Sequence, residues 1–337
     1  REKPVKHGGG YYMLTFDPAI TGSDPDKMEV IEWDLRLAVR LMRTGALDPE
    51  IGEYKWVNNY QPTIDWIEAR YAKTGRPVDV SMDTETMGFY PWYPDKDIVS
   101  ISFTAKPGTA EVLYLGPQKP PIPFDPEVDL FEQIKWLLTT PKVKLRGANL
   151  KYDLIWIAEK WGIECTNFKF DTLLVGSLLN ENRSNSLNLH AKVFTPIGGY
   201  DDSFNAKYDK GHMESIPPED LLVYAGGDTD ACHRVADILR DELADDEKLA
   251  TFYIKILHPA ARAFEKIERR GVLVDREKYE ALGSELRQVI KDSQNQALSL
   301  LPNKMRIKYR EKIEAQIKAG KSPLLPSILK EYFFTPH

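Results

Sequence analysis

The chain has 337 residues, 42% of them apolar and 28% charged, with two cysteines and a formal net charge of -6 at pH 7. This composition excludes a disordered chain, and the net charge excludes attraction to a polyanion unless basic patches or carboxylate-bound metal ions provide local positive charge. Two distant cysteines exclude a disulfide framework or a cysteine zinc site, and without a long apolar run the composition predicts a cytoplasmic protein with no membrane partner.

The first segment, residues 1–77, is predicted to be an N-terminal extension with a packing role. Apolar residues recur every three or four positions between residues 25 and 44, which predicts an amphipathic helix. A second helix is predicted over residues 63–73. The apolar positions of the first helix are Met28, Ile31, Leu35, Val39 and Met42.

Residues 78–250 show strand signals followed by helical patterns. Strands are predicted over residues 78–82, 98–104, 111–115 and 143–146. Helices are predicted over residues 150–160, 171–179, 187–194 and 220–243. Three strands in meander spacing, then a strand that leads into a helix, predict an α/β fold with a mixed β-sheet flanked by helices.

The C-terminal part of the chain, residues 251–337, is predicted to be a separate helical segment. A helix over residues 259–270 is expected to end at Gly271, because glycine favours the left-handed conformation that closes helices. The remainder is helical and rich in charge, so a domain boundary is predicted near residue 250.

Two acidic residues beside the first strand of the sheet form a candidate metal site. Asp83 and Glu85 stand two positions apart, directly after the apolar run at residues 78–82. Residues two apart on a strand point to the same face of a sheet, and two carboxylates that close repel each other unless a cation lies between them. The pair is therefore a candidate site for Mg²⁺ or Mn²⁺; the alternative is a strand end with two solvated acids.

A third candidate acid, Asp153, falls in the first turn of a predicted helix. Asn149 is the predicted N-cap of that helix. The residues after Asp153 are apolar, and an acid beside a buried run requires a partner. The alternative is a surface aspartate that the helix dipole stabilises.

Tyr224 and Asp228 form the fourth candidate feature, because on a helix residues four apart share one face. Gly226 and Gly227 stand between them. Each glycine inside a helix is unfavourable by about 1 kcal/mol relative to alanine, which indicates that something approaches the backbone closely there. Asp230 is an alternative acid, but on a helix it points away from Tyr224.

The order of these features resembles the three exonuclease motifs of the DnaQ-like nucleases, in the subclass that carries a tyrosine. The run Asn-Leu-Lys-Tyr-Asp at residues 149–153 further resembles the proofreading domain of family A, pol I-like, DNA polymerases. So do residues 170–173, 178–180 and 187–191, and residues 258–275 resemble that family's link into the polymerase thumb. The resemblance extends over about residues 78–337, with residues 323–334 similar to the thumb tip. It implies an RNase H-like fold. A phage source fits the divergent N-terminal segment.

The resemblance implies a 3′→5′ exonuclease that uses two divalent metal ions, Mg²⁺ or Mn²⁺. Asp83 is expected to bridge both ions, Glu85 and Asp228 to complete the ligands of the first, and Asp153 to hold the second. Tyr224 is expected to orient the attacking water by a hydrogen bond.

The resemblance also implies contacts with a single-stranded DNA 3′ end. Asn149, Tyr152 and Thr84 are expected to contact the terminal nucleotides, and Glu85 the 3′ hydroxyl. Phe89 is expected to stack on the terminal base; its alternative is core packing, and the aromatic run around it differs from common family members.

A basic run between residues 304 and 321 is the candidate for contact with a primer-template duplex. In a polymerase thumb such charges follow duplex phosphates, whereas in general they form a solvated helix face. The family's palm and fingers motifs do not occur by His337, so the chain is expected to be the N-terminal part of a larger polymerase. The duplex-binding candidates are Lys304, Arg306, Lys308 and Arg310.

Two other functions stay open at this point. One is a stand-alone nuclease of the same superfamily that acts on RNA, and the thumb-like region after residue 258 argues against it. The other is an exonuclease-like domain that has lost activity and serves as a scaffold. Such domains lose carboxylates, and here all four and the tyrosine are present.

Overall fold

The computed structural model describes residues 5–8, 10–23, 27–45, 48–182 and 184–319. The chain divides into two compact units, Arg1–Arg270 and Gly271–His337. Among the helices of the described ranges, none combines the length and the apolar character that crossing a bilayer requires.

Eight strands lie within the described ranges. They are β1 (Val5–His7), β2 (Gly10–Tyr12), β3 (Glu53–Trp56), β4 (Val78–Thr86), β5 (Ile98–Thr104), β6 (Thr109–Tyr114), β7 (Val143–Gly147) and β8 (Phe168–Asp171). The last six form one sheet in the order β3-β6-β5-β4-β7-β8, and β1 pairs separately with β2. Within the sheet, β5 is antiparallel to β4 and β6, whereas the other pairs are parallel.

Thirteen α-helices are present in the same ranges. In the first unit they are α1 (Lys27–Thr44), α2 (Gln61–Thr74), α3 (Leu130–Thr139), α4 (Lys151–Trp161), α5 (Thr172–Leu179), α6 (Leu187–Phe194), α7 (Asp202–Lys207), α8 (Pro218–Ala244), α9 (Glu247–Phe252) and α10 (His258–Arg270). In the second unit they are α11 (Arg276–Leu300), α12 (Asn303–Lys308) and α13 (Arg310–Lys318). The predicted mixed sheet flanked by helices is confirmed.

Strand β4 separates two layers of side chains. Val78, Val80 and Met82 are buried in the main apolar cluster, together with residues of α2, α3 and α4. Because side chains alternate along a strand, Asp83 and Glu85 belong to the opposite face, which α8 covers. The hydrogen bond between Ser81 Oγ and His233 Nδ1 of α8, at 3.2 Å, marks that second face.

The N-terminal part of the sheet domain begins earlier in the chain than residue 78. Strand β3 pairs in parallel with β6, with Glu53 opposite Thr109, and Ile64 and Ile67 of α2 are buried in the main cluster. The proposed division at residue 77 therefore differs from the structure, because β3 completes the edge of the sheet and α2 covers one of its faces.

The second division also differs from the predicted boundary near residue 250, since the first unit ends at Arg270. Helix α10 packs on α4 and on the segment that follows it. Arg269 pairs with Glu159 of α4 at 2.9 Å, and Arg262 donates to the carbonyl of Cys165, after α4, at 2.6 Å. Gly271 closes the helix with a φ of +65°, as predicted. A change in composition near residue 250 does not reveal such contacts.

Helix α1 forms, but its predicted apolar face is mostly not buried. Ile31 is buried, whereas Leu35 and Met42 are exposed. Trp33, from another face of the helix, lies 5.5 Å from the guanidinium of Arg40, measured to the ring centroid. The predicted start at residue 25 lies outside the described residues, as does the thumb-tip resemblance at residues 323–334.

Candidate active site

Asp83 and Glu85 lie in the C-terminal half of β4, beyond the residues that pair with β7. The ladder between β4 and β7 ends at the pair Ser81–Arg146, while β5 continues alongside, with Asp83 opposite Ser102. Asp83 is half-buried and Glu85 is buried. As predicted for residues two apart on a strand, both acids lie on one face. They belong to the part of β4 that extends beyond its pairing with β7.

Helix α8 brings Tyr224 and Asp228 to the same place. The helix crosses the sheet and contacts β4, β5 and β6. Asp228 is buried, and burial raises its pKa to about 6, while hydrogen bonds from Tyr200 and Tyr224 act in the opposite direction. The predicted sharing of one helix face by Tyr224 and Asp228 is therefore present in the structure.

The two glycines of α8 are required by close contacts. A Cβ atom at Gly226 would lie 2.6 Å from the ring of Tyr54, and a Cβ atom at Gly227 would lie 2.4 Å from the ring of Tyr200. Both distances are shorter than any ordinary contact, so these rings can pack against the helix only because glycine has no side chain. The expected close approach to the helix backbone is thus made by two tyrosines.

Asp230 faces a different environment, on the other side of α8. Its carboxylate accepts two hydrogen bonds from Arg234, at 2.8 and 2.9 Å, one from the hydroxyl of Tyr54 at 3.0 Å and one from the backbone N–H of Gly108 at 2.7 Å. This acid is fully paired, so it serves the packing of α8 on the sheet.

Three carboxylates form a cluster that fits a cation. Oxygen atoms of Asp83, Glu85 and Asp228 all lie within 4.8 Å of one another. Glu85 Oε1 is buried, and no described residue gives it a hydrogen bond. Burial, with repulsion from the neighbouring carboxylates, raises the pKa of Asp83 and of Glu85 well above their usual values. Because several buried carboxylates so close together repel each other, these oxygens fit a divalent cation.

Asp153 joins this cluster from the first turn of α4. Its Oδ1 accepts hydrogen bonds from the backbone N–H of Thr84 at 2.9 Å and from the Thr84 hydroxyl at 2.6 Å. Burial raises the pKa of Asp153 to about 7, although the bonds from Thr84 oppose the rise. Asp153 also repels Asp83, so it lies beside the three-carboxylate cluster and is not a solvated surface acid.

Two predicted contacts of this region are different in the structure. Thr84, predicted to bind substrate, is buried and holds Asp153, because its side chain points away from the face that carries Asp83 and Glu85. Asn149 is not the N-cap of α4: that position belongs to Leu150, and Asn149 adopts a left-handed φ of +58°. Its backbone N–H donates to Asp171 at 3.1 Å, and asparagine tolerates this conformation better than most residues.

Two residues that the sequence does not identify complete the surroundings. Tyr200 is buried, and its hydroxyl donates to Asp228 Oδ1. Lys210 donates from Nζ to the hydroxyl oxygen of Tyr224 at 2.7 Å. The pair Gly226-Gly227 signals the approach of some side chain, but nothing in the spacing of Tyr200 or Lys210 connects them with the motifs.

The loop after β4 presents aromatic side chains to solvent. Phe89 is 62% exposed, and Tyr90, Trp92 and Tyr93 are exposed as well, which excludes core packing as the role of Phe89. The half-buried Tyr152 anchors the loop, because its hydroxyl donates to the carbonyl of Gly88 at 3.0 Å. The same hydroxyl lies 2.8 Å from that of Thr86.

The basic candidates lie on α12 and at the start of α13, within the second unit. Arg306 donates to the carbonyl of Leu301 at 3.0 Å, and Arg310 pairs with Glu314 at 2.9 Å. Lys304 and Lys308 are exposed. Lys308 Nζ also lies 5.3 Å from the centroid of the Tyr309 ring, so three of the four candidates make local contacts.

Solved structures with a similar arrangement include NrnC and RNase D. NrnC from Brucella melitensis matches 63% of this chain and 91% of its own, with 18% identity and a TM-score of 0.44. RNase D from Escherichia coli, an exoribonuclease involved in structured RNA processing, matches 80% of this chain and 60% of its own, with 10% identity and a TM-score of 0.46. These similarities assign no function to the chain.

Relatives by sequence are DNA polymerases. The polymerase of Bacillus phage SP01 is 25% identical over 233 residues, which are 67% of this chain and 24% of that protein. The polymerase of Escherichia phage T5 is 32% identical over 114 residues, which are 30% of this chain and 13% of that protein. DNA polymerase I of Rhizobium leguminosarum is 28% identical over 167 residues, 48% of this chain and 16% of that protein. The chain thus matches about a quarter or less of each polymerase.

The family model for the 3′-5′ exonuclease of family A DNA polymerases matches residues 54–244. This range begins within β3 and ends with α8, so it contains every acid of the cluster. It also includes β3 and α2, in agreement with their place in the sheet domain. The chain belongs to the 3′-5′ exonuclease family of family A DNA polymerases.

Proposed function

We propose that this chain removes nucleotides from the 3′ end of a DNA strand, as the proofreading exonuclease of a family A DNA polymerase. The observation that supports it most is the convergence of Asp83, Glu85 and Asp228 on one cluster of oxygens within 4.8 Å. Asp153 and Tyr224 stand beside that cluster. Family membership supports the reaction class, and the similarity to DNA polymerases supports DNA as the proposed substrate.

The carboxylates are the proposed ligands of two divalent ions, Mg²⁺ or Mn²⁺. Asp83, Glu85 and Asp228 would hold the first, and Asp153 with Asp83 would hold the second. Such ions, when bound, lower the pKa of an attacking water and neutralise the charge that develops on the phosphate. The raised pKa of each carboxylate fits a site that gains stability from a cation.

Tyr224 is proposed to orient the attacking water by a hydrogen bond from its phenol. Burial raises the pKa of Tyr224 well above its usual value, and the negative charge of Asp228 acts in the same direction. The hydroxyl therefore keeps its proton at neutral pH and serves as a donor, not as a base.

The 3′ end of the strand is proposed to lie along the loop that follows β4. Phe89, exposed near the start of that loop, would stack on the terminal base, a contact that contributes about 1–3 kcal/mol per base. Asn149 and Tyr152, at the start of α4, would contact the terminal nucleotides, and Glu85 would contact the 3′ hydroxyl. Thr84 is not included, since it holds Asp153.

In the proposed context, residues 271–337 begin a polymerase thumb that follows a primer-template duplex. Palm and fingers domains would belong to the same parent polymerase. We place the activity in the cytoplasm, which fits two free cysteines, Cys165 and Cys232.

An exonuclease assay with a 5′-labelled single-stranded DNA oligonucleotide tests the proposal. The chain should shorten the strand from its 3′ end with Mg²⁺ or Mn²⁺ and should stop when EDTA is added. Asp83→Ala should lower the rate by at least about 10³-fold. Asp79→Ala is the matched control, because Asp79 lies on the same strand and face and pairs with Arg146 at 3.2 Å, away from the cluster.

A second arm with RNA of the same sequence separates the other functions. Degradation of RNA with little degradation of DNA would replace the proposal with the RNA nuclease. No metal-dependent degradation of either strand would identify an inactive, exonuclease-like scaffold.

A further inference from the structure

The ammonium group of Lys210 contacts the hydroxyl of Tyr224, the proposed catalytic tyrosine. It opens the short 3₁₀-helix Lys210–Ser215, and its Nζ donates to the hydroxyl oxygen of Tyr224 at 2.7 Å. The same Nζ lies 4.7 Å from the centroid of the Tyr224 ring. No motif of the exonuclease family led to this lysine, and the proposed mechanism does not use it.

Neighbouring residues fix the positions of both Lys210 and Tyr224. Asp209, the residue before it, caps the 3₁₀-helix by accepting from the N–H of Gly211 at 2.9 Å. On the other side, Phe204 of α7 stacks on the Tyr224 ring, with centroids 3.9 Å apart and planes 9° from parallel. The stacked ring leaves the phenol plane fixed, so the remaining freedom of Tyr224 is rotation of its O–H bond.

The charge of Lys210 also reaches the carboxylates. Among the groups that act on Asp83, Glu85 and Asp228, Lys210 lowers the pKa of each, in opposition to burial and to the neighbouring acids. One ammonium group therefore faces both the phenol and the cluster.

A phenol oxygen can accept hydrogen bonds on its lone pairs and can donate one. An ammonium group has three donors and no acceptor, so Lys210 can only occupy a lone pair of the Tyr224 oxygen. The phenol proton must then point away from Lys210, toward the side on which the carboxylates lie. The direction of the proton is the property that matters for a residue that orients a water molecule.

We propose that Lys210 is a positioning residue for Tyr224: its ammonium group occupies the outer lone pair of the phenol and thereby directs the phenol O–H toward the carboxylates and the attacking water. This role rests on the proposed exonuclease function. It predicts that Lys210 contributes to the reaction through Tyr224, and not through independent contact with the phosphate.

A double-mutant cycle measures that dependence. Single-turnover rates on the single-stranded oligonucleotide are compared for the unmodified chain, Lys210→Met, Tyr224→Phe and the double variant. Lys210→Met should lower the rate constant by about 10- to 100-fold with little change in the KM for DNA. In the Tyr224→Phe background, the same change should alter the rate by no more than about 3-fold.

Two further variants complete the experiment. Lys210→Arg should recover part of the rate, because guanidinium also donates without accepting, whereas Lys210→Gln should not. Lys207→Met is the matched control: Lys207 lies 4.7 Å from the Tyr208 ring centroid but pairs with the surface acid Asp220 at 2.6 Å. Its removal should leave the exonuclease rate unchanged.

Equal losses from Lys210→Met in the two backgrounds would overturn the proposal and indicate direct contact with the substrate. Full activity of Lys210→Met would overturn it as well. If Lys210→Met does not fold, Lys210→Gln takes its place in the cycle. An inactive unmodified chain would refute the exonuclease function itself, an outcome that is distinct from the other two.

Discussion

The hydroxyl of Tyr200 donates a hydrogen bond to Oδ1 of Asp228, across 28 positions of the sequence. The ring of the same tyrosine rests on Gly227, one residue before Asp228. A single side chain thus holds both the backbone of α8 and the carboxylate that α8 contributes to the cluster. Groups that orient a metal ligand commonly affect metal affinity as strongly as activity.

Tyr200→Phe should therefore weaken metal binding more than it weakens folding. The variant keeps the ring on Gly227 but removes the hydrogen bond to Asp228. We expect the Mg²⁺ concentration for half-maximal exonuclease rate to rise by about 10- to 100-fold. Tyr208→Phe is the control, because the Tyr208 hydroxyl donates to Asp220, which is not part of the cluster. An unchanged Mg²⁺ dependence in Tyr200→Phe would show that Asp228 needs no such support.

Gly227→Ala should destabilise the protein, although alanine is ordinarily the better helix former by about 1 kcal/mol. Its Cβ would lie 2.4 Å from the Tyr200 ring, and overpacking of a buried site is unfavourable by about 1–3 kcal/mol. Thermal unfolding would measure the change. Gly283→Ala is the contrasting variant, because a Cβ there would meet its nearest atom at 3.6 Å; it should not destabilise. A Gly227→Ala variant as stable as the original would mean that Tyr200 moves freely.

The metal-free protein should lose stability as pH rises through the range in which the cluster ionises. Burial raises the pKa of Asp228 to about 6 and that of Asp153 to about 7, above the value near 3.9 of an unfolded chain. Between these values the folded state binds more protons than the unfolded state. The stability that these two acids contribute is therefore fully present below about pH 4 and is lost as the pH rises through about 6 to 7. Denaturant unfolding in EDTA at pH 5 and pH 8 would measure the fall.

Asp228→Asn separates this effect from general changes with pH. Without the buried charge, the metal-free variant should be more stable than the original at pH 8 by about 1–3 kcal/mol, with no difference near pH 4. Asp230→Asn should instead destabilise the protein at pH 8, because Asp230 is paired with Arg234 at 2.8 Å and breaking a buried pair is unfavourable by about 3 kcal/mol. A destabilised Asp228→Asn at pH 8 would contradict the account of the cluster.

Phe89→Ala should weaken binding of DNA and leave the chemical step intact. Loss of one stacking contact is worth about 1–3 kcal/mol, so the KM for a single-stranded oligonucleotide should rise by about 5- to 100-fold with little change in kcat. Phe124→Ala removes a comparably exposed aromatic side chain from the loop before α3 and should have no effect. A lower kcat at unchanged KM would mean that Phe89 does not contact the ground-state strand.

Much of the fold and of the acidic cluster follows from local periodicity. Asp83 and Glu85 lie on one face because side chains alternate along a strand, and Tyr224 and Asp228 meet because a helix repeats every 3.6 residues. Strands β3 and β8, of four residues each, were not predicted, because short edge strands have too few positions for alternation to be recognised.

The supporting residues could not be predicted in the same way. Tyr200 and Lys210 reach the site from loops and short helices, where position depends on tertiary packing and not on a repeat. The family resemblance implies a substrate contact for Thr84. The same alternation that groups Asp83 and Glu85 turns Thr84 to the other face, where it meets Asp153.

Anomalous diffraction from crystals soaked in MnCl₂ tests the central claim most directly. Manganese should bind among the oxygens of Asp83, Glu85 and Asp228, with Asp153 beside it, and the anomalous signal should be lost in Asp83→Ala. No manganese at this cluster, under conditions in which the protein degrades DNA, would contradict it.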